Sequence, residues 1–166
     1  MREYSIHFSE KLIEAARVVL EDGVDSVGAR RTVLYLSLLS CEITLKALLE
    51  RAGKPVKEIK GRSHNLEGLL DELGPCEVEE DIVNGVLKWV PASRLRAKVV
   101  TTNTGESTVG RLLAGESQGA SAYPNQIRYG DRLYHFPPEA VFNTATVILC
   151  WAQDYWNRIR LSSNTL

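Results

Sequence analysis

Thr32-Val33-Leu34-Tyr35-Leu36-Ser37-Leu38-Leu39-Ser40-Cys41-Glu42-Ile43-Thr44-Leu45-Lys46-Ala47-Leu48-Leu49 is the most apolar stretch of the chain. It has helical length and contains neither Gly nor Pro. Apolar residues fall all round that helix, the pattern of a helix buried on every side. Two charges interrupt it, Glu42 and Lys46, and a spacing of four makes them neighbours on one face. Charges are rarely buried unless they are paired or used. The stretch therefore predicts a central core helix with Glu42 and Lys46 as candidate site residues. They read either as an intrahelical ion pair at the edge of the buried face or as a polar floor between helices. On such a floor Lys46 meets a phosphate or holds Glu42 to orient Arg128.

Outward from this stretch the pattern stays helical. The central helix is expected from Ser26 to Ala52, stopped by Gly53 with Pro55 just beyond. Ile6, Leu12, Ile13, Ala16, Val19 and Leu20 recur near the helical period and predict a first helix over 5–21. Ser9 caps its regular part unless the helix starts earlier. Arg30 and Arg31 stand near the start of the second helix, where the dipole disfavours cations. They either meet an anion or carboxylate or are solvated. A basic linker with Lys54, Lys57, Lys60 and Arg62 leads to a short helix over 65–73, stopped by Gly74-Pro75. A fourth helix is expected after Cys76, through Ile82, Val86, Leu87 and Trp89 to Pro91. Residues 92–100 can continue it, with a second basic cluster of Arg94, Arg96 and Lys98. The stretch 101–122 is rich in Thr, Ser and Gly and reads as a mobile or functional loop. A short hairpin is conceivable at 123–136, around Gly130-Asp131. The last helix is expected over 138–160, with Pro138 in its first turn, and a frayed tail over 161–166.

The sum is an all-α chain, an antiparallel bundle of four to five helices with a flexible loop around 101–122, in a single domain over 1–166. The 166 residues suffice for one such core. Apolar content of 44% and charged content of 25% are those of a soluble globular chain. A net charge of −1 gives no global field toward nucleic acid, so any such binding needs a local patch. Cys41, Cys76 and Cys150 are odd in number and lack zinc-ligand spacing; Cys41 and Cys150 read as small core residues. No metal, cofactor or membrane span is expected, and a reducing cytoplasm fits best.

Two motifs fail on context. Gly115-Glu116-Ser117-Gln118-Gly119, followed by Asp131 and His135, has the letters of a nucleophile elbow but no strand before it. Gly105 and Gly110 have phosphate-loop spacing, but Arg111-Leu112 follows where Lys and Ser or Thr are required.

Three segments in order carry a family resemblance. The first is Cys41-Glu42-Ile43-Thr44-Leu45-Lys46-Ala47-Leu48-Leu49 with Gly53-Lys54-Pro55. The second is Ser63-His64-Asn65-Leu66 with Leu69, Leu70 and Leu73. The third is Ile127-Arg128-Tyr129, followed by a Pro-rich step and an Ala-rich last helix. Together, over roughly 26–160, they resemble the HEPN superfamily of small helical bundles. The resemblance implies an often dimeric bundle that binds a nucleotide or RNA, frequently within toxin–antitoxin or antiviral systems. It implies ligand-binding roles for Glu42, Lys46, His64, Arg128 and Tyr129. In the family's ribonuclease branch an Arg and a His act across a dimer interface; Arg128 and His135, six residues apart, meet that spacing. Three expectations follow: a homodimeric nucleotide- or RNA-binding protein, a metal-independent ribonuclease using Arg128 and His135, or a non-catalytic module for a protein partner.

The residues add physical content to these roles. An Arg next to a Tyr offers a guanidinium for phosphate and a ring for a base. His64, preceded by Lys60 and Arg62, opens a helix and so is placed either to bind an anion or to fix its loop.

Overall fold

The computed structural model describes residues 2–82, 85–115 and 121–163. Helix α1 (Ile6–Asp22) is capped by Ser5, whose Oγ accepts from the Phe8 N–H, so it starts earlier than Ser9. Helix α2 (Val27–Ala52) is capped by Ser26 and ends at Gly53, whose φ of 106° is one that a side chain would strain. Buried residues lie all round its second half, as its composition predicts. By length and composition α2 could also cross a membrane; 72% of its most apolar window is buried inside this fold.

Ser9, early in α1, meets Ser40 and Thr44, late in α2, so these two helices run antiparallel. The Ser9 hydroxyl donates to the Ser40 carbonyl at 2.9 Å and lies 2.6 Å from Ser40 Oγ and 2.5 Å from Thr44 Oγ1. Small residues at this seam let the two backbones approach closely, and the hydroxyls satisfy one another. Helix α7 (Pro138–Tyr155) packs on both. Arg51 at the end of α2 donates to the Trp156 carbonyl just past α7 at 2.7 Å, so α2 and α7 end together. Between α2 and α7 the chain forms α3 (Val56–Gly61), α4 (Leu66–Glu72), α5 (Val109–Leu113) and α6 (Asn125–Tyr129).

The all-α expectation is overturned. Two small antiparallel sheets stand beside the helices, so the fold is mixed α and β. Strands β1 (Cys76–Ile82) and β2 (Val86–Pro91) pair antiparallel, from Glu77 opposite Pro91 to Ile82 opposite Val86. Strand β5 (Ile159–Leu161) adds to the other edge of β1. These segments were expected as a fourth helix and as the end of the last one. The reason for the first difference is alternation: Cys76, Val78 and Val90 are buried, while Glu77 and Glu79 stand partly exposed between them. In a helix, Glu77 would lie beside Glu80 and Asp81 and repel them. In the sheet, Glu77 meets Arg160 and Glu80 meets Arg94. The Asn84-Gly85 dipeptide is also the commonest short hairpin signal.

Residues 92–100 do not continue a helix of that kind. A 3₁₀ helix over Ala92–Ala97 leads into β3 (Val99–Thr102), which pairs with β4 (Gly105–Thr108). The stretch read as a loop over 101–122 is thus largely structured; its residues 116–120, with Ser117 of the elbow motif, lie outside the described residues. No hairpin forms around Gly130-Asp131; α6 occupies that region instead. Cys76 and Cys41 are buried, but Cys150 is exposed on α7 and is not the core residue expected.

Candidate functional site

The site begins at Glu42, which is 5% exposed in the middle of α2. Its Oε1 accepts from Lys46 Nζ at 2.7 Å. Its Oε2 accepts from the Tyr123 hydroxyl at 2.6 Å and lies 2.9 Å from His64 Nδ1. Three elements therefore meet on one carboxylate: α2, the turn before α4, and the segment before α6. Burial by itself would raise the Glu42 pKa. Hydrogen bonds from Lys46, Tyr123 and His64 outweigh it and hold the carboxyl below its ordinary range. Burial and the Glu42 carboxylate push the Tyr123 hydroxyl far up, so it remains a donor.

An ionised Glu42 has no proton to give, so Nδ1 of His64 must be the donor in this pair. In the neutral ring this bond selects the tautomer that leaves Nε2 as the acceptor. The His64 side chain is half exposed. It lines an open cleft of about 540 Å³ with Arg62, Ser63, Asn65, Glu67 and Tyr123. Ser63 has φ 48°, a left-handed conformation uncommon outside Gly, and it delivers His64 to this place. Asn65 then caps α4, its Oδ1 accepting from the Gly68 N–H at 2.8 Å.

Lys46 does not face the cleft as a free cation. It is 7% exposed, bound to Glu42 and set 5.6 Å from the centre of the Tyr4 ring. The ion pair is thus buried and is not the exposed edge pair of the plainer reading. Most of the basic linker is ion-paired as well: Lys60 meets Glu3 at 2.8 Å, and Lys54 and Arg62 share Glu72. In the second basic cluster Arg94 binds Glu80 and Arg96 binds Asp71.

Arg128 and Tyr129 end α6 on the surface. The Arg128 guanidinium lies 5.0 Å from the Tyr35 ring centre and makes no ion pair among the described residues. Tyr129 is 77% exposed. A second, smaller cleft of about 230 Å³ runs between Arg31, Tyr35 and Arg128. Rings connect the two clefts: Tyr35 and Tyr123 stand 6.0 Å apart, and Tyr123 meets His64 edge-on at 5.9 Å. Arg128 therefore reaches Glu42 only through a row of aromatic rings, not by the direct orienting contact expected.

No family model, curated protein or solved structure matches the chain. Geometry alone then ranks the residues. Glu42, Lys46 and His64 are brought together; Arg128 and Tyr129 form a neighbouring surface. His135 joins neither. Both its ring nitrogens are buried without a hydrogen-bond partner among the described residues, and the ring packs edge-on against Phe136. Burial lowers its pKa and keeps it neutral. No hydrogen bond or ring contact joins it to Arg128 among the described residues.

One site residue, Tyr123, carried no sequence signal, and for Arg31 the sequence marked the cation but not its partners. Tyr123 reaches Glu42 across 81 positions. Arg31 donates to the carbonyls of Ile127 at 2.5 Å and Gly130 at 2.9 Å, clamping the end of α6. Its partners are backbone acceptors, which explains a cation near a helix start without an anion.

Proposed function

We propose that this protein binds RNA or a nucleotide across the His64 cleft and the Arg128–Tyr129 surface. The observation that supports it is the convergence of Lys46, His64 and Tyr123 on buried Glu42, with a row of rings running from there to Arg128. A buried polar centre costs stability that leucines would not, and here it fixes the place of His64. It sets His64 at the mouth of a cleft. Arg128, free of carboxylates among the described residues, suits a phosphate, and exposed Tyr129 suits a base. The resemblance to HEPN proteins in 41–55, 63–73 and 127–129 points the same way, toward a cytoplasmic homodimer in a toxin–antitoxin or defence system.

Fluorescence anisotropy with labelled single-stranded RNA and with a fluorescent ATP analogue tests the reading. Saturable binding is expected, weakened about tenfold by Arg128→Ala. Absence of binding to both probes at low salt, or unchanged affinity in Arg128→Ala and His64→Ala together, removes it.

A further inference from the structure

Strand β2 lies at the edge of its sheet, whose strand order is β2-β1-β5. The Glu79 N–H donates to the Arg158 carbonyl at 2.9 Å. Odd-numbered residues of β1 therefore turn their backbone groups toward β5, and even-numbered ones turn theirs toward β2. Across the register, Lys88 and Val90 face β1, while Leu87 and Trp89 turn their N–H and C=O outward. These outward groups make no hydrogen bond among the described residues. Natural sheet edges are blunted by charge, by Pro or by a covering element. This one ends on Pro91 and carries Lys88 as its single charge. It leaves Val86 61% and Leu87 55% exposed.

The face above that edge is acidic. Glu79 lies opposite Trp89 and Asp81 opposite Leu87, so all four side chains share it. Glu77, on the same face, is bound by Arg160, whereas Glu79 and Asp81 make no ion pair among the described residues. Arg160 shows what this face accepts. From β5 it reaches over β1, bonds Glu77 at 3.1 Å and sets its guanidinium 3.7 Å from the centre of the Trp89 ring on β2. We propose that β2 is a docking edge, at which an extended segment of a second protein, with Arg or Lys on alternate residues, adds as a further strand. The outward backbone groups of Leu87 and Trp89 hold that segment in register. Its cations repeat the Arg160 arrangement from the other side, crossing β2 to Asp81 or Glu79. A second copy of this chain fits worse: pairing β2 with itself about Lys88 sets Lys88 against Lys88 and brings two acidic faces together. The same carboxylates repel nucleic acid. The edge shares no residue with the His64 cleft or the Arg128 cleft, so the proposal stands apart from the RNA reading.

The probe is a fluorescein-labelled peptide of about eight residues that alternates Arg and Val. Its controls are the same peptide N-methylated along its whole backbone and a peptide alternating Glu and Val. Binding to the full chain is read by anisotropy at low salt. The Arg–Val peptide is expected to bind saturably, at least about tenfold more tightly than either control. Reversing the face with Glu79→Lys and Asp81→Lys together should weaken it about tenfold. Leu87→Pro removes an outward donor and leaves the β1 ladder intact, so it should weaken binding as well; a thermal melt shows that each variant folds. Amide hydrogen exchange by NMR needs no variant. Leu87 and Trp89 should exchange fast in the free protein and slowly in the complex, with Lys88 slow in both. No binding of the Arg–Val peptide overturns the proposal, as does equal binding of its N-methylated form. Slow exchange of Leu87 and Trp89 in the protein alone, lost on dilution, overturns it too and gives the edge to a second copy.

Discussion

At the scale of single residues, Glu42 governs stability as well as geometry. It is the shared acceptor for a buried Lys, a buried Tyr and His64. Glu42→Ala would leave Lys46 buried and unpaired, a change that costs about 3–5 kcal/mol. Replacing both, as Glu42→Leu with Lys46→Met, should recover most of that loss, because desolvation of the pair vanishes with it. Urea unfolding of the two variants measures the difference. The pH dependence has a definite sign. The folded-state value of Glu42 lies below its ordinary 4.5, so its contribution is complete above about that pH. It is lost as pH falls through the lower folded value. The urea midpoint of wild type should therefore drop more steeply below that pH than that of Glu42→Gln. His135 acts in a higher window. Its folded value lies below the ordinary 6.5, so the unfolded chain takes up the proton first and stability falls as pH drops below that value. His135→Leu should flatten this part of the profile.

Among elements, α4 is the one whose local chemistry touches the site. Asn65 caps it directly after His64. Asn65→Ala should cost about 1 kcal/mol, seen as a lower thermal midpoint, and should weaken RNA binding by loosening His64. Arg31→Ala should act from the other side: freeing the end of α6 is expected to reduce RNA affinity without touching ligand, with little change in His64 reactivity toward diethyl pyrocarbonate. Elements with local signals were legible: α1, α2, α4 and α7 announced themselves through periodicity, Ser26, Gly53 and Pro138. The β1–β2 hairpin had its signal too, in Asn84-Gly85 and in Val78 alternating with acidic neighbours. It was read as helix because its few apolar residues suit either period over so short a run. β5 had no such signal. Three residues become a strand there only because β1 offers an edge.

For the molecule as a whole, the near-zero net charge sets what binding can look like. At a net charge of −1, no global field draws in RNA. Among the described residues, eight of the twenty Lys and Arg side chains are held in ion pairs, Lys54, Lys60, Arg62, Arg94 and Arg96 among them. Affinity for RNA should accordingly show a shallow salt dependence, and Arg128→Ala should reduce the slope by about 1. A steep slope that survives this variant would place the contact elsewhere. By itself the sequence determined that α2 lies at the centre, that Glu42 and Lys46 require a partner, and that His64 opens a helix, because these follow from spacing along one element. Only the tertiary structure decided that Tyr123 completes the Glu42 site, that Arg128 stands apart from it behind Tyr35, and that Lys54, Lys60, Arg62, Arg94 and Arg96 are tied to carboxylates. Those outcomes depend on which distant side chains share a burial site, and local periodicity carries no record of that.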